Sequence, residues 1–130
     1  MTTPVNFEIA KLLKEKGYKT GSEKGYLPNG ELGISQYSAL CYNDEEDYPT
    51  KYAAPTISEV VMWIYEKHGI WITVDPIKWS YEDNIVKLKY ITFKLSLNKS
   101  TNIEGSNYSY NSPTEAYEAA IEYSLKNLIK

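Results

Sequence analysis

Side chains that commonly act as acids, bases or nucleophiles are scarce in this chain. His68 is its only histidine and Cys41 its only cysteine. A serine or cysteine triad would need His68 as its base, and the sequence has neither a nucleophile elbow nor a glycine-rich phosphate loop. His68 precedes Gly69, where a histidine cation would stabilise the last carbonyls of a helix, and Cys41 is typical of a small buried hydrophobic residue. We therefore expect no catalytic site and no cofactor.

Carboxylates offer two further clusters that could bind a cation. Asp44 to Asp47 form an acidic tetrad, but they lack the alternating spacing and the glycine of a calcium loop. Glu115, Glu118 and Glu122 suit the N-terminal half of a helix electrostatically. Zinc sites need several cysteine or histidine ligands, which this sequence does not offer. We interpret both clusters as solvated surfaces and expect no metal site.

The composition bears on the class of partner. All 14 basic residues are lysine, and the net charge is −3. Arginine is the main bidentate reader of phosphate and guanine, so a nucleic-acid partner is disfavoured. The 13 tyrosines and three tryptophans have two interpretations. One is the codon bias of an AT-rich gene, and the other is an adhesive surface of the kind found at interfaces.

The length predicts one domain over residues 1–130. That is the usual size of a compact domain, and the composition is 42% hydrophobic and 24% charged, as in ordinary globular proteins. No apolar run is long enough to span a bilayer, and a lone cysteine fits a reducing compartment. We therefore expect a soluble cytoplasmic protein that does not bind a membrane.

Three helices are predicted from apolar spacing and from capping residues. The first covers Asn6–Lys16 and ends at Gly17, with Tyr18 packing back on Leu13. The second begins at a capping box, is apolar on more than one side, and is therefore expected to be the central helix. The last begins at a similar box with proline in its first turn. The second and third helices are marked by these boundary residues: Thr56, Glu59 and Gly69 for one, and Ser112, Pro113 and Glu115 for the other.

The strands form a small antiparallel sheet. Residues 18–55 are predicted to be an irregular arm with short strands, and a hairpin is expected after the second helix. The fold class is therefore α+β in a single domain. It has two to four antiparallel strands and three helices, in the order α, β arm, α, β, β, an optional β, and α. The segments that carry this prediction are the turn Pro28–Gly30, the strand Ile34–Tyr42, the hairpin Ile70–Leu97 with an interruption at Asp75–Pro76 and a turn at Glu82–Asn84, a polar loop Asn98–Ser106 and a short strand Asn107–Tyr110.

Strand alternation predicts an aromatic outer face on this sheet. If Ile70, Ile72 and Val74 face the helices, then Trp71 and Thr73 face away from them. On the returning strand the same outer face would carry Tyr90, Thr92 and Lys94. Three alternatives remain for what covers this face: the 18–55 arm, a second copy of the chain in a homodimer, or a partner for which it is the working surface. The candidate binding residues are Trp71, Tyr90, Trp79 and Tyr81.

From Thr56 onward the order helix, strands, helix resembles that of a double-stranded-RNA-binding domain. Those domains carry lysines at the start of their last helix, where they meet phosphates. This chain has Glu115, Glu118 and Glu122 there, which would repel phosphates. The resemblance therefore concerns architecture and not function.

Three segments also resemble small proteins from bacteriophages and prophages of gut Bacteroides-type bacteria. The opening helix Phe7–Gly17 is similar to theirs, and so is the closing helix that runs from Ser112 to Ile129. Ala54–Thr56, followed by Trp63 and Gly69–Val74, is similar to their middle signature. The stretch Tyr18–Tyr52 is longer than the form expected for them.

The resemblance implies a cytoplasmic location in a bacterial host, and it supplies no activity, ligand or catalytic residue. With the scarcity of catalytic groups, it favours a non-enzymatic accessory protein of phage or mobile-element type that binds a host or phage protein. The alternative is a nucleic-acid-associated factor built on a helix–sheet–helix core.

Overall fold

The computed structural model describes residues 3–34, 41, 43, 52–82, 85–97, 101–105, 109–110 and 112–129. Within them the fold is α+β, with three helices and antiparallel strands, as the sequence predicts. The strands form two sheets, of three and four strands, where one sheet was expected. The elements in chain order are α1 (Phe7–Glu15), β1 (Lys24–Tyr26), β2 (Leu32–Ile34), β3 (Tyr52–Ala53), α2 (Ile57–His68), β4 (Ile70–Glu82), β5 (Ile85–Leu97), β6 (Thr101–Gly105), β7 (Ser109–Tyr110), α3 (Pro113–Tyr123) and a π-helical turn (Ser124–Leu128). No helix in this part of the chain is long and apolar enough to cross a membrane.

The chain folds into two compact units. One consists of residues 1–60 together with 124–130, and the other of residues 61–123. The first contains α1 and the antiparallel sheet β2–β1–β3, and the second contains the sheet β4–β5–β6 with β7 paired to β5. The expectation of a single domain over residues 1–130 stays a prediction.

Helix α1 has the boundaries that its sequence predicts. The side chain of Asn6 accepts a hydrogen bond from the backbone N–H of Ile9 at 2.9 Å, which satisfies one of the free N–H groups of the first turn. Gly17 has a φ of 86°, and the N–H of Tyr18 donates to the carbonyl of Leu13 at 2.9 Å. Both Tyr18 and Leu13 are buried. The helix therefore ends in the Schellman arrangement expected from the glycine.

The predicted capping box is present at the start of α2, and the serine cap of the second predicted box is present at the start of α3. At α2 the N–H of Glu59 donates to the hydroxyl of Thr56 at 3.3 Å, and the Glu59 carboxylate accepts from the Thr56 N–H at 3.4 Å. At α3 the N–H of Glu115 donates to the Ser112 hydroxyl at 3.2 Å. Gly69 ends α2 with a φ of 70°. These local patterns fix where each helix begins or ends.

The 18–55 arm contributes the three-stranded sheet of the first unit. The predicted turn at Pro28–Gly30 joins β1 to β2, and the N–H of Gly30 donates to the carbonyl of Leu27 at 2.9 Å. The predicted strand Ile34–Tyr42 lies mostly outside the described residues. Its first residue, Ile34, is instead the last residue of β2.

One expectation for the later chain needs correction. The polar stretch Asn98–Ser106 was expected to be a loop, but its residues Thr101–Gly105 form β6, which pairs with β5. Ladder formation with a neighbouring strand outweighs the weak strand preference of those residues. The expectation that α2 is the central helix stays a prediction; one of its apolar residues, Met62, is 44% exposed.

The hairpin β4–β5 is longer and less regular than simple alternation suggests. It pairs Ile70 with Leu97 at one end and Glu82 with Ile85 at the other. The register shifts twice, once between Val74 and Asp75 and once between Pro76 and Lys78, at the interruption that the sequence marks with Asp75–Pro76. Such shifts insert an extra residue on one strand and locally break the alternation of faces.

Candidate binding surface

Trp71 is the predicted binding residue that the structure describes most fully. It lies near the start of β4, between Ile70 and Ile72, which are both buried. Trp71 itself is 39% exposed, and α3 packs against both β4 and β5. Ile70, Trp71 and Ile72 therefore alternate as predicted, whereas Thr73 and Val74 are both half-buried. The expectation that Trp71 faces away from the helices is not met in full, because Tyr65 of α2 lies against its ring.

Helix α2 contributes two side chains to this surface: Tyr65 contacts Trp71, and Met62 lies one turn before Tyr65. The ring of Tyr65 meets the ring of Trp71 edge to face, with centroids 5.2 Å apart and an interplanar angle of 80°. Met62 precedes Tyr65 by three residues, so the two side chains lie on neighbouring positions of one helix face. We call Met62, Tyr65 and Trp71 the Trp71 patch. Its positions belong to one compact unit.

The tight connection between α2 and β4 brings Tyr65 and Trp71 together. The N–H of Gly69 donates to the carbonyl of Tyr65 at 2.9 Å, and the positive φ of Gly69 reverses the chain directly after the helix. A strand that begins at the next residue returns alongside the last turn. An edge-to-face aromatic pair at this spacing contributes about 0.5–1.5 kcal/mol beyond its buried area, which restricts both rings.

A charged residue of α2 borders the Trp71 patch. Glu66 is exposed, and it lies four residues after Met62 on the same side of the helix. An apolar and aromatic centre with a charged edge is the usual composition of a protein interface. Met62 and Tyr65 were not predicted from the sequence as binding residues, although the excess of apolar residues around α2 was a signal that pointed to them.

The other predicted binding residues stay predictions. Tyr90 lies opposite Pro76 in the ladder, Trp79 opposite Leu88 and Tyr81 opposite Val86; their side chains are outside the part of the chain that the structure describes. In the same ladder Lys94 lies opposite Thr73, as the outer-face argument requires. A register shift separates that pair from Tyr90, so simple alternation does not carry the argument further along β5.

The environment of His68 favours its neutral form. Burial lowers the pKa of its imidazole from 6.5, and Nε2 is buried without a hydrogen-bond partner among the described residues. Its ring meets that of Trp63 edge to face at 5.1 Å. The sequence suggested a cation that stabilises the end of α2. Because burial favours the neutral ring, that stabilisation is weakened.

Cys41 is a buried small residue, as predicted. It is joined to Ser22 by two backbone hydrogen bonds of 2.7 and 2.9 Å across an isolated antiparallel bridge, and its thiol is reduced. The acidic tetrad 44–47 lies outside the described residues. Among those that are described, no group of three or more histidine, cysteine, aspartate or glutamate side chains is placed to bind a metal.

A second aromatic cluster, in the other unit, is engaged in packing. The Phe7 ring lies 5.4 Å from that of Tyr26 and 5.5 Å from that of Tyr52. Lysine ammonium groups cover two of the rings: Lys11 lies 4.7 Å from the centre of Phe7, and Lys14 lies 5.0 Å from that of Tyr52. These faces are already used by cation–π contacts. The cluster is therefore a weaker candidate for binding than the Trp71 patch.

The chain matches no protein-family model, and it matches neither a curated protein nor a solved structure.

Proposed function

We propose that this chain is a small non-enzymatic accessory protein of phage or mobile-element type, and that it binds a host or phage protein through the Trp71 patch. The observation that carries the proposal is that Trp71 and Met62 are exposed, while the half-buried Tyr65 contacts the Trp71 ring and lies one turn after Met62 in the same unit. Tryptophan, tyrosine and methionine are enriched at interfaces. Tryptophan and tyrosine also dominate the small set of residues that provide most binding energy.

The ring contact within the Trp71 patch also supports the proposal. Tyr65 and Trp71 already hold each other at 5.2 Å, so little rotamer freedom remains to be lost when a partner docks. Preordered side chains reduce the entropic cost of association. Met62 adds an unbranched, adaptable side chain at the border, which tolerates partners of varied shape.

The remaining chemistry favours binding over catalysis. Burial lowers the pKa of His68, whose ring lies against that of Trp63, and Cys41 is buried in a backbone bridge. Neither environment is that of an activated base or nucleophile, which usually has an oriented partner and access to substrate. The location we propose is the cytoplasm of the bacterial host.

Affinity capture with a matched pair of variants tests the proposal. Trp71→Ala removes the centre of the patch, and Leu32→Ala removes an exposed apolar side chain on the other unit, where Leu32 is 45% exposed. We expect a protein from bacterial lysate to be retained by the parent chain and by Leu32→Ala but lost with Trp71→Ala. With the purified partner, Trp71→Ala should weaken binding by about 2 kcal/mol or more, roughly thirtyfold.

Two results would contradict the proposal. One is an unchanged affinity of Trp71→Ala for the captured protein. The other is a large loss of melting temperature in Trp71→Ala at every protein concentration, which would make Trp71 a structural residue covered by the rest of the chain. A salt-dependent shift of labelled RNA or DNA, without a protein partner, would favour a nucleic-acid-associated factor instead.

A further inference from the structure

Strand β4 forms one edge of its sheet. The order of the sheet is β4–β5–β6, and β7 also pairs with β5. Among the residues that the structure describes, no strand pairs with β4 on the side away from β5. An edge of this kind presents a row of backbone N–H and C=O groups that can pair with a further strand.

The usual protections of an edge strand are confined to the second part of β4. Natural edges are protected by proline, by charged side chains and by bulges. In β4 these begin at Asp75: the two register shifts, Pro76 and Lys78 all follow Val74. The first five residues, Ile70–Val74, are uncharged and keep a regular register with β5. They are also β-branched or aromatic, the types that favour strands.

This unprotected segment is complementary to itself. In an antiparallel pairing of two copies centred on Ile72, Ile70 lies opposite Val74 of the second copy, and Trp71 lies opposite Thr73. No charge meets a like charge anywhere in the five positions. Aromatic and β-branched cross-strand pairs each stabilise such a ladder, and identical use of one patch by both copies gives closed two-fold symmetry.

We propose that a second copy of this chain adds to the edge of β4 along Ile70–Val74, so that two sheets join into one in a symmetric dimer. The pairing uses the edge of the strand and leaves the exposed side of Trp71 open. The two Trp71 residues become diagonal neighbours on one face, with Cα atoms about 7–8 Å apart. The inference is independent of the proposed function, because it concerns the purified chain alone.

Sedimentation of the full chain over a range of concentrations, with a pair of double variants, tests this register. Trp71→Lys with Thr73→Lys places lysine opposite lysine at two symmetric points. Trp71→Glu with Thr73→Lys places glutamate opposite lysine at the same points. Both lose the same tryptophan and both carry lysine at position 73, so they differ only at position 71, in the charge that faces that lysine in the second copy. The net charge of the chain works against the expected result, since it is −1 in the lysine pair and −3 in the glutamate–lysine pair. We expect the parent chain to dimerise, and the dissociation constant of the lysine pair to exceed that of the glutamate–lysine pair by about tenfold or more.

Circular dichroism checks that both double variants fold, which the exposure of Trp71 favours. If they do not fold, oxidation of a variant that combines Trp71→Cys with Thr73→Cys replaces the charge test. The proposed pairing brings these positions within disulfide reach across the two-fold axis, and the parent chain with its buried Cys41 is the control. We expect covalent dimers only in the variant.

Three results would overturn the proposal. The parent chain could remain monomeric at every concentration that it tolerates. It could dimerise while the two charge variants show equal dissociation constants, which would place the interface elsewhere. In the oxidation test, a dimer that forms no disulfide between the introduced cysteines would also exclude this register.

Discussion

Replacement of Asn43 by alanine should destabilise the protein far more than its small size suggests. Asn43 is only 8% exposed. Its Nδ2 donates to the carbonyl of Tyr18 at 2.9 Å, and its Oδ1 accepts from the N–H of Ala53 at 2.7 Å. The side chain therefore joins the chain just after α1 to strand β3 through two buried hydrogen bonds, and alanine can form neither.

The expected cost follows from the two backbone groups that lose their partner. A buried donor or acceptor left without a hydrogen bond costs about 1–3 kcal/mol, so the Asn43→Ala variant should lose about 2–6 kcal/mol of its free energy of unfolding. Small domains have only about 5–15 kcal/mol in total. With a urea m-value of about 2 kcal/mol per molar, the unfolding midpoint should fall by about 1–3 M.

Asn29 provides a matched control for this measurement. Its Oδ1 accepts a hydrogen bond from the N–H of Glu31 at 3.0 Å, but at an exposed turn. Water can replace that bond, so Asn29→Ala should cost at most about 1 kcal/mol. Asn43→Asp separates the loss of the hydrogen bonds from the loss of side-chain volume, because aspartate has nearly the same size as asparagine. It can still accept from the Ala53 N–H, but it brings a carboxylate oxygen against the Tyr18 carbonyl. We expect it to be at least as unstable as Asn43→Ala.

The measurement is urea unfolding followed by circular dichroism and by tryptophan fluorescence on the parent chain and the three variants. Equal costs for Asn43→Ala and Asn29→Ala would refute the reasoning, because they would show that the two buried bonds contribute no more than one exposed bond. A fully stable Asn43→Asp variant would likewise show that the donor to Tyr18 is unimportant.

Three further predictions concern single positions. Thr56→Ala should lower the free energy of unfolding by about 1 kcal/mol, because it removes the N-terminal cap of α2; an unchanged melting temperature would contradict this assignment. Gly30→Ala should cost more than Gly17→Ala in the same assay, since both have positive φ but only at Gly30 would the new Cβ lie 3.3 Å from the Phe7 ring. The NMR titration of His68 should have its midpoint below 6.5, because burial favours the neutral ring. The free energy of unfolding that the buried neutral ring contributes is then complete above pH 6.5 and is lost as the pH falls through the lowered pKa. A midpoint at or above 6.5 would show that burial does not lower this pKa.

The ends of the helices could be predicted because their causes are local. The cap at Asn6, the glycine end at Gly17 and the reciprocal contacts of Thr56 with Glu59 all join groups within five residues of one another. Hydrogen bonds over such distances form whenever the local conformation is helical, and the residue types alone identify them. The same holds for the alternation that exposes Trp71, since a strand places neighbouring side chains on opposite sides.

The composition of the candidate surface could be predicted only in part. Trp71 followed from alternation, whereas Tyr65 and Met62 required knowledge of how α2 meets β4. The helix carries more apolar residues than one buried face needs, and its sequence does not say which of them stays exposed. That choice depends on which side of the helix packs against the rest of its unit, and the packing is set by residues far away in the chain.

The sequence by itself determined the fold class, the starts of the three helices, the glycine ends of the first two, and the outward position of Trp71 between Ile70 and Ile72. Only the tertiary structure decided the two register shifts in β4–β5, the conversion of the polar stretch Thr101–Gly105 into β6, and the ring contact between Tyr65 and Trp71. The physical reason is the range of the interactions. Caps and turns are satisfied within a few residues, whereas a strand gains its hydrogen bonds from a partner whose register depends on the whole ladder.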